Sequence, residues 1–330
     1  MILFLPMEKN YKGIKHEINL KPRFESRMGE LLGNDYGNFC KILSVPPVNS
    51  IRCNTLKISP EELKEKLEKK WKIKQPFKEH PEIMIIESEL KPGEIGKAFE
   101  HVLGYYYVQE ISSMMPLIAL SPKKDDILLD LCAAPGSKTT QAAAMMDNHG
   151  TIIANDSNMG RVAVLSTNIQ RCCVTNCIVA NHDGSNLCKR LEKINFKFDK
   201  ILMDVPCSGE GTIRSSPGAA EMFNEKTILR ISNIQKSFVK NAVAVLKNGG
   251  ELVYSTCTHA PEENEEVVSF ILENFPMEIK EINLPLKVRK GITEWNGKKF
   301  HEDVSKSARI YPQDNNTEGF FIAKFKKMER

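Results

Sequence analysis

Beyond residue 127 the chain alternates short apolar runs with longer amphipathic stretches, the pattern of strands joined by helices in βαβ units. The runs Ile127–Leu131, Thr151–Ala154, Cys177–Ala180, Phe198–Met203 and Glu251–Ser255 read as buried strands of a parallel sheet. Between them, Lys138–Met146 is rich in the helix formers Ala, Gln and Met, while Met159–Arg171 and Glu225–Leu246 carry helical periodicity. The long third helix is expected to stop at Asn248-Gly249-Gly250, a C-cap signal. Glu262–Asn274 follows Pro261 with acidic residues in its first turn, favourable for a helix dipole, and Gly319–Phe325 alternates enough to be a closing strand.

The texture differs before residue 100. Ile51–Leu56 and Ile83–Ile86 read as strands, and Ser59-Pro60 opens a helix to about Lys70. The expected organisation is a small α+β module over residues 1–100 and an α/β domain over residues 101–330, divided within Pro92–Glu100.

With 330 residues the chain is long enough for both units. A net charge of +4 permits nucleic acid as a partner without announcing it. Lysines crowd Lys64–Lys74 and Lys324–Arg330, but Glu61, Glu62, Glu65 and Glu68 interleave with the first group, so a solvated helix face and a phosphate track are both open. The nine cysteines include no paired CxxC knuckles with His at zinc spacing, so reduced thiols, a cytoplasmic location and no metal are expected. Met1–Pro6 is apolar but short for a signal sequence and lacks a basic leader, and no later stretch approaches a membrane span. Export and membrane insertion are not expected; a monomer is.

Candidate chemistry gathers at the strand ends. Asp204-Val-Pro-Cys207-Ser-Gly209 and Tyr254-Ser-Thr-Cys257-Thr258 both sit where apolar runs stop, and parallel sheets bind ligands at their carboxyl ends. A lone strand-end cysteine is ordinarily packing. Two in matching positions, one beside Asp204, point instead to a shared crevice. Leu129-Asp130-Leu131-Cys132-Ala133-Ala134-Pro135-Gly136-Ser137-Lys138 joins strand to helix through small residues, so a ligand can approach the backbone amides closely. It is neither a G-x-G-x-x-G fingerprint nor a Walker loop, which disfavours a dinucleotide or a triphosphate. Asp156 stands where acidic side chains meet ribose hydroxyls in doubly wound folds, and Asp183 could accept from an adenine amino group. Turn formation or helix capping is the alternative for each.

These motifs carry a resemblance. Cys132-Ala-Ala-Pro-Gly-Ser-Lys-Thr139, Asp204-Val-Pro-Cys-Ser-Gly209, Ser255-Thr-Cys257 and Glu262-Glu-Asn-Glu265 resemble those of the Nop/Sun (Fmu) family of RNA cytosine-5 methyltransferases, over roughly Ser50 to Ala323. Ser137 stands where most relatives carry Gly, which raises the question of whether that position needs a positive φ. The resemblance implies a class I, Rossmann-like S-adenosyl-L-methionine-dependent methyltransferase sheet whose last strand is antiparallel, preceded by an RNA-binding module. It implies a cofactor site made by Cys132, Ala133, Ala134, Pro135, Gly136, Ser137 and Lys138, with Asp156 on the ribose, Asp183 near adenine, Arg161 towards the carboxylate, and Asp204 at its edge. It further implies Cys257 as the nucleophile that adds to cytosine C6, Asp204 on N3 or N4, Cys207 in release, and Lys138 near the reacting groups.

The expected product is 5-methylcytidine, in tRNA for preference because the chain lacks long charged extensions, with rRNA as the alternative. Arg52, Lys57 and Lys64–Lys74 are candidate phosphate contacts, and Tyr105–Tyr107 offers either a stacking surface or core packing. DNA cytosine methylation would lack the Thr-Cys turn. A non-catalytic RNA-binding assembly factor would not need both thiols, Asp204 and Lys138. A redox or metal role for Cys172, Cys173 and Cys177 is the weakest rival.

Overall fold

The computed structural model describes residue 18 and residues 20–329; the apolar Met1–Pro6 stretch lies outside them. Two helices come first, α1 (Pro22–Leu32) and α2 (Tyr36–Leu43). Strands β1 (Asn49–Cys53), β2 (Ile73–Lys74), β3 (Ile83–Ile86) and β4 (Tyr106–Val108) then form an antiparallel sheet in the order β2-β3-β1-β4. Helix α3 (Pro60–Leu67) starts where the sequence signals it. Ser59 Oγ accepts from the Glu62 amide, the Glu62 carboxylate accepts from the Ser59 amide, and Pro60 needs no partner for a missing N–H. Its Leu63 and Leu67 join Ile51, Met84 and Tyr106 in a small core of their own, beside the short helices α4 (Glu94–Lys97) and α5 (Phe99–Val102).

The larger unit follows as α6 (Ile111–Leu120), β5 (Ile127–Asp130), α7 (Ser137–Met145), β6 (Thr151–Asn155), α8 (Met159–Arg171), β7 (Cys177–Ala180), α9 (Gly184–Lys193), β8 (Phe198–Asp204), α10 (Gly218–Met222), α11 (Glu225–Val245) and β9 (Leu246–Thr256). Strands β5 to β9 are parallel in the order β7-β6-β5-β8-β9. The order reverses between β5 and β8, so the crevice opens where Asp130 and Asp204 end their strands. After β9 come α12 (Glu265–Asn274), β10 (Met277–Lys280), β11 (Arg289–Lys290), the hairpin β12 (Glu294–Trp295) and β13 (Lys298–Lys299), β14 (Ala308–Ile310), α13 (Pro312–Asn315) and β15 (Phe320–Lys327). Strand β15 runs antiparallel to β9 with Phe321 opposite Thr256, and β14 and β10 pair antiparallel with β15 in turn, so a Rossmann-like parallel sheet is extended by an antiparallel edge.

Apolar faces explain the sandwich. Leu129, Ile201, Met203, Leu252 and Tyr254 pack on Val239 of α11 and Val267 of α12, while Leu128, Leu202, Val253 and Ile322 pack on Met114 of α6, Ala142 of α7 and Leu165 of α8. Neighbouring residues of each strand point to opposite faces, and both faces are covered, hence the unbroken apolar runs.

Several elements depart from the expectation. Asn248-Gly249-Gly250 does not cap α11, which ends at Val245; it lies inside β9, whose pairing with β8 shifts register between Phe198 and Lys200, with Gly249 at φ 75°. A strand pairing open to the segment overrode the local turn signal. Helix α12 starts at Glu265 rather than Glu262, because residues 261–264 turn first. Helix α9 and strand β10 were not expected, the former because its buried face is little more than Leu187 and Cys188. Two segments cross the expected division at residue 100. Tyr106–Val108 pairs with β1, and Phe24, Met28 and Phe39 of the first two helices pack against Phe223, Ile228, Ala260 and Tyr311 of the larger unit. Among the described residues no helix is long and apolar enough to cross a membrane.

Backbone contact between three loops fixes the crevice floor. The Gly211 amide donates to the Cys257 carbonyl at 2.9 Å and the Gly319 amide donates to the Gly211 carbonyl at 2.8 Å. A Cβ on Gly211 would lie 2.4 Å from the Gly319 oxygen and 2.8 Å from the Cys257 oxygen. Gly211→Ala is expected to lower stability by about 2 kcal/mol or more, whereas Gly218→Ala, whose added methyl meets nothing within 4 Å, should leave it within about 0.5 kcal/mol. Denaturant melts of the two variants measure the difference.

Candidate active site

A cavity of about 480 Å³ opens at the switch point. One part of its wall is the loop between β5 and α7, through Asp130, Cys132, Ala133, Ala134, Pro135, Ser137 and Lys138. Gly136 turns this loop at φ 104° as the N-cap of α7, and a Cβ there would press on Leu165 at 3.0 Å. Ser137 is already helical and has no positive φ, so serine fits there without strain. Other parts of the wall come from Asn49, Ser50 and Val108 of the first sheet, from Gln109, Glu110 and Ser113 around the start of α6, and from Asp204, Val205, Thr212, Ser215, Cys257, Glu318 and Phe320.

Lys138 stands at the centre of the polar contacts. Its ammonium lies 2.7 Å from Asp204 Oδ2, donates to Ser113 Oγ at 2.9 Å and sits 5.2 Å from the centre of the Phe320 ring. The Ser255 hydroxyl donates to Asp204 Oδ1 at 2.8 Å, so both carboxylate oxygens are held. Cys207 and Cys257 have their sulfurs 3.1 Å apart. The contact with Cys257 and then burial push the Cys207 thiol well above its usual range, and either sulfur can be the donor in their contact. Below them, Glu263 accepts from the Ser208 amide at 3.1 Å and from Gln235 Nε2 at 2.9 Å, and Ser208 Oγ lies 2.7 Å from Thr258 Oγ1. The loops carrying the two cysteines are therefore joined twice, through a carboxyl group and through a hydroxyl pair.

Acids buried around the floor are lifted. Burial raises Asp130 to about 7 despite a hydrogen bond from Thr139 Oγ1, and raises Glu210 and Glu263 to about 7 as well. Burial also raises the Cys132 thiol well above its usual range.

The other expected cofactor residues are distributed along the same edge. Asp156 is buried beyond β6, where its Oδ2 lies 3.2 Å from Arg161 Nη1 and its Oδ1 accepts from the Asn158 amide at 3.0 Å. Arg161 also donates to the Ala134 carbonyl, which lays the guanidinium between Asp156 and the cavity. Asp183 is exposed and caps α9, accepting from the Asn186 amide at 3.0 Å, and does not line the cavity.

One candidate nucleic-acid contact is overturned. Arg52 is 3% exposed and points inwards: its guanidinium donates to Gln109, to the Ser137 carbonyl at 2.8 Å and to Thr140 Oγ1 at 2.8 Å, behind the cavity loop. Burial lowers it only to about 10, so it stays charged. The Lys57 ammonium is spent on the Leu103 carbonyl at 2.5 Å, and Lys64, Lys70 and Lys72 pair with Glu68, Glu100 and Glu87. Tyr106 and Tyr107 are buried, with the Tyr106 hydroxyl donating to the Ile95 carbonyl at 2.7 Å, so core packing rather than a stacking surface describes them. Among the described residues no group of three or more His, Cys, Asp or Glu is placed to hold a metal ion.

Ser113, Glu110 and Glu318 were missed because nothing local marks them. Ser255 and Glu263 lie inside motifs already visible in the sequence, next to Cys257 and Glu262.

Comparison with known proteins gives a consistent picture. Residues 117–326 match the family model for the 16S rRNA methyltransferase RsmB/F, and residues 20–111 match that for the N-terminal domain of 16S rRNA methyltransferase RsmF. The tRNA (cytosine(49)-C(5))-methyltransferase of Pyrococcus abyssi is 40% identical over 295 residues, covering 89% of this chain and 93% of that protein. The ribosomal RNA small subunit methyltransferase F of Vibrio cholerae is 38% identical over 317 residues, covering 94% of this chain but only 64% of that protein. A crystal structure of a methyltransferase homolog protein from Pyrococcus horikoshii superposes with a TM-score of 0.83 at 34% identity, covering 94% of this chain and 96% of that one.

The structural role of Arg52 is testable apart from any activity. Arg52→Ala should cost about 3 kcal/mol or more in a urea melt, through lost packing and unsatisfied buried acceptors. A phosphate contact would instead leave the melt in place and flatten the salt dependence of RNA binding.

Proposed function

The chain belongs to the RsmB/F family of RNA cytosine-C5 methyltransferases, and from that premise we propose that it methylates C5 of a cytidine in tRNA through a transient bond from Cys257 to C6. The observation that carries this is the paired sulfurs of Cys207 and Cys257, 3.1 Å apart beside the Asp204–Lys138 ion pair.

The residues present fit S-adenosyl-L-methionine. A loop of small residues turns at Gly136 into the start of α7, buried carboxyl groups end β5 and lie just past β6, and a guanidinium stands over the second. Cys132–Lys138 would cradle the cofactor, Asp156 would take its ribose, Arg161 its carboxylate, and Asp183, in place of its capping bond, the adenine edge. When bound, the cofactor supplies an electrophilic methyl on a sulfonium.

Cytosine C5 is a weak nucleophile until the 5,6 double bond is saturated. Thiolate addition from Cys257 to C6 does this, moving the electron pair of that double bond towards C5 and N3. Cys207 favours the thiolate by keeping its own proton and donating towards it. Asp204, fixed on both oxygens, accepts from the exocyclic amine, and Lys138 holds Asp204 in place and adds positive charge where the ring gains electrons. Once C5 carries the methyl group, its proton must leave. Once Cys257 is bonded to C6 it no longer holds the proton on Cys207; that proton passes to solvent, the Cys207 thiolate takes the C5 proton, the electron pair of that C–H bond re-forms the double bond, and Cys257 departs from C6 as a thiolate. A cytidine within a duplex cannot reach this cavity, so the target is flipped or unpaired.

The choice of tRNA follows the likeness to the archaeal tRNA enzyme, 40% identical to this chain over 295 residues. The first hundred residues would grip RNA beyond the target, and the enzyme would act as a cytoplasmic monomer. Bisulfite sequencing of total RNA after incubation with the protein and cofactor tests the substrate: conversion-resistant cytidines in tRNA are expected, and resistance confined to rRNA would replace tRNA as the substrate. Cys257→Ala should lose activity by roughly a thousandfold or more and form no denaturant-resistant adduct, while Cys207→Ser should accumulate that adduct. Exchanged phenotypes would reverse the two roles.

A further inference from the structure

Glu318 lines the cavity and has no part in the scheme above. It is 4% exposed, its amide donates to Glu110 Oε1 at 3.1 Å, and its Oε1 accepts from the Ser215 amide at 2.8 Å. Its Oε2 is buried without a hydrogen-bond partner among the described residues. The turn that carries it is pinned by Arg214, which donates to the Thr317 carbonyl at 2.7 Å and to Asn316 Oδ1 at 2.7 Å. The next residue, Gly319, is tied through Gly211 to the Cys257 carbonyl, and Phe320 faces the Lys138 ammonium. A buried carboxyl oxygen left unpaired costs about 1–3 kcal/mol. Such a group, held rigidly in the wall of a reaction cavity, calls for a ligand.

Resting on the methyltransferase reading, we propose that Glu318 contacts the substrate, its free oxygen donating a hydrogen bond to the 2-carbonyl of the flipped cytosine. The assignment of edge follows from what is already occupied. Asp204 serves the N3 and N4 side, which leaves the 2-carbonyl as the base's remaining acceptor. Oε1 accepts from Ser215, so the proton of the neutral carboxyl resides on Oε2. Burial first, and then the neighbouring Glu110, raise Glu318 to about 7 against the opposing effects of Ser215 and Arg214, so the donor form persists near neutrality. The contact aids the chemistry as well as binding. When sulfur adds at C6, negative charge reaching N3 spreads onto the 2-carbonyl oxygen, where a donor stabilises it.

The test compares Glu318→Gln and Glu318→Leu with the unaltered protein in single-turnover methyl transfer to unmodified tRNA from pH 6 to 9, alongside thermal melts and cofactor binding. Glutamine keeps an acceptor for Ser215 and an N–H donor at every pH. Its rate should stay within about threefold of the parent near pH 6.5 and lose the fall that Glu318 ionisation imposes above pH 7. Leucine should cost roughly tenfold or more in kcat/KM at pH 6.5 in protein that the melts show folded at the assay temperature, with cofactor affinity unchanged. Three outcomes overturn the inference: leucine within twofold of the parent at every pH, glutamine with the parent's pH profile, or a leucine defect accompanied by lost cofactor affinity. If the unaltered protein methylates no RNA, the methyltransferase reading falls and takes this contact with it; a parent that methylates normally isolates the question to Glu318.

Discussion

Three loops distant in sequence meet through backbone alone at Gly211. Its amide and carbonyl bridge the carbonyl after β9 to the amide before β15, with no room for a side chain between them. That contact sets how close the Pro-Cys turn lies to the Thr-Cys turn, and so the distance between the two sulfurs. It also places Glu318 and Phe320 on the cavity wall, because they flank the bridged Gly319. The antiparallel pairing of β15 with β9 holds the same register from the other side. Backbone hydrogen bonds suit this task, since they hold loops at fixed distances without side-chain freedom.

Around that junction the electrostatics are arranged in opposite senses. Lys138 and Asp204 form a charged pair with each partner satisfied, whereas Asp130, Glu210, Glu263 and Glu318 are acids that burial lifts to about 7. A carboxyl group raised in the folded state contributes stability at low pH that is withdrawn as pH climbs from its unfolded value through about 7. These acids are therefore kept against a stability penalty at neutral pH, which fits groups retained for the site rather than for the fold. Glu265 behaves differently: its buried carboxylate is forked onto Arg309, a paired charge that ties the start of α12 to β14.

Much of the larger unit was legible from pattern. Four of the five parallel strands and the helices α7, α8 and α11 fall close to their expected bounds, because buried runs and amphipathic periods report burial directly, while β9 begins at Leu246 rather than Glu251. The misses share a cause. Asn248-Gly249-Gly250 looks like a helix stop but is drawn into β9 by its neighbour strand; Arg52 looks like a surface cation but is drawn inwards by the carbonyl of Ser137. In each case a long-range partner outweighed a local preference, and one sequence window cannot contain that partner.

Composition and motif were enough to determine a Rossmann-like methyltransferase sheet, the two cysteine turns, and the loop from Cys132 to Lys138. Those features are written in consecutive residues, so the chain carries them wherever it folds. Tertiary structure decided that Ser113 and Asp204 meet on one ammonium, that the sulfurs of Cys207 and Cys257 lie 3.1 Å apart, and that Glu318 in the cavity wall keeps one carboxyl oxygen without a partner. These depend on distances between residues 25 to 208 positions apart along the chain, and only the packing of β5, β8, β9 and β15 into one sheet fixes such distances.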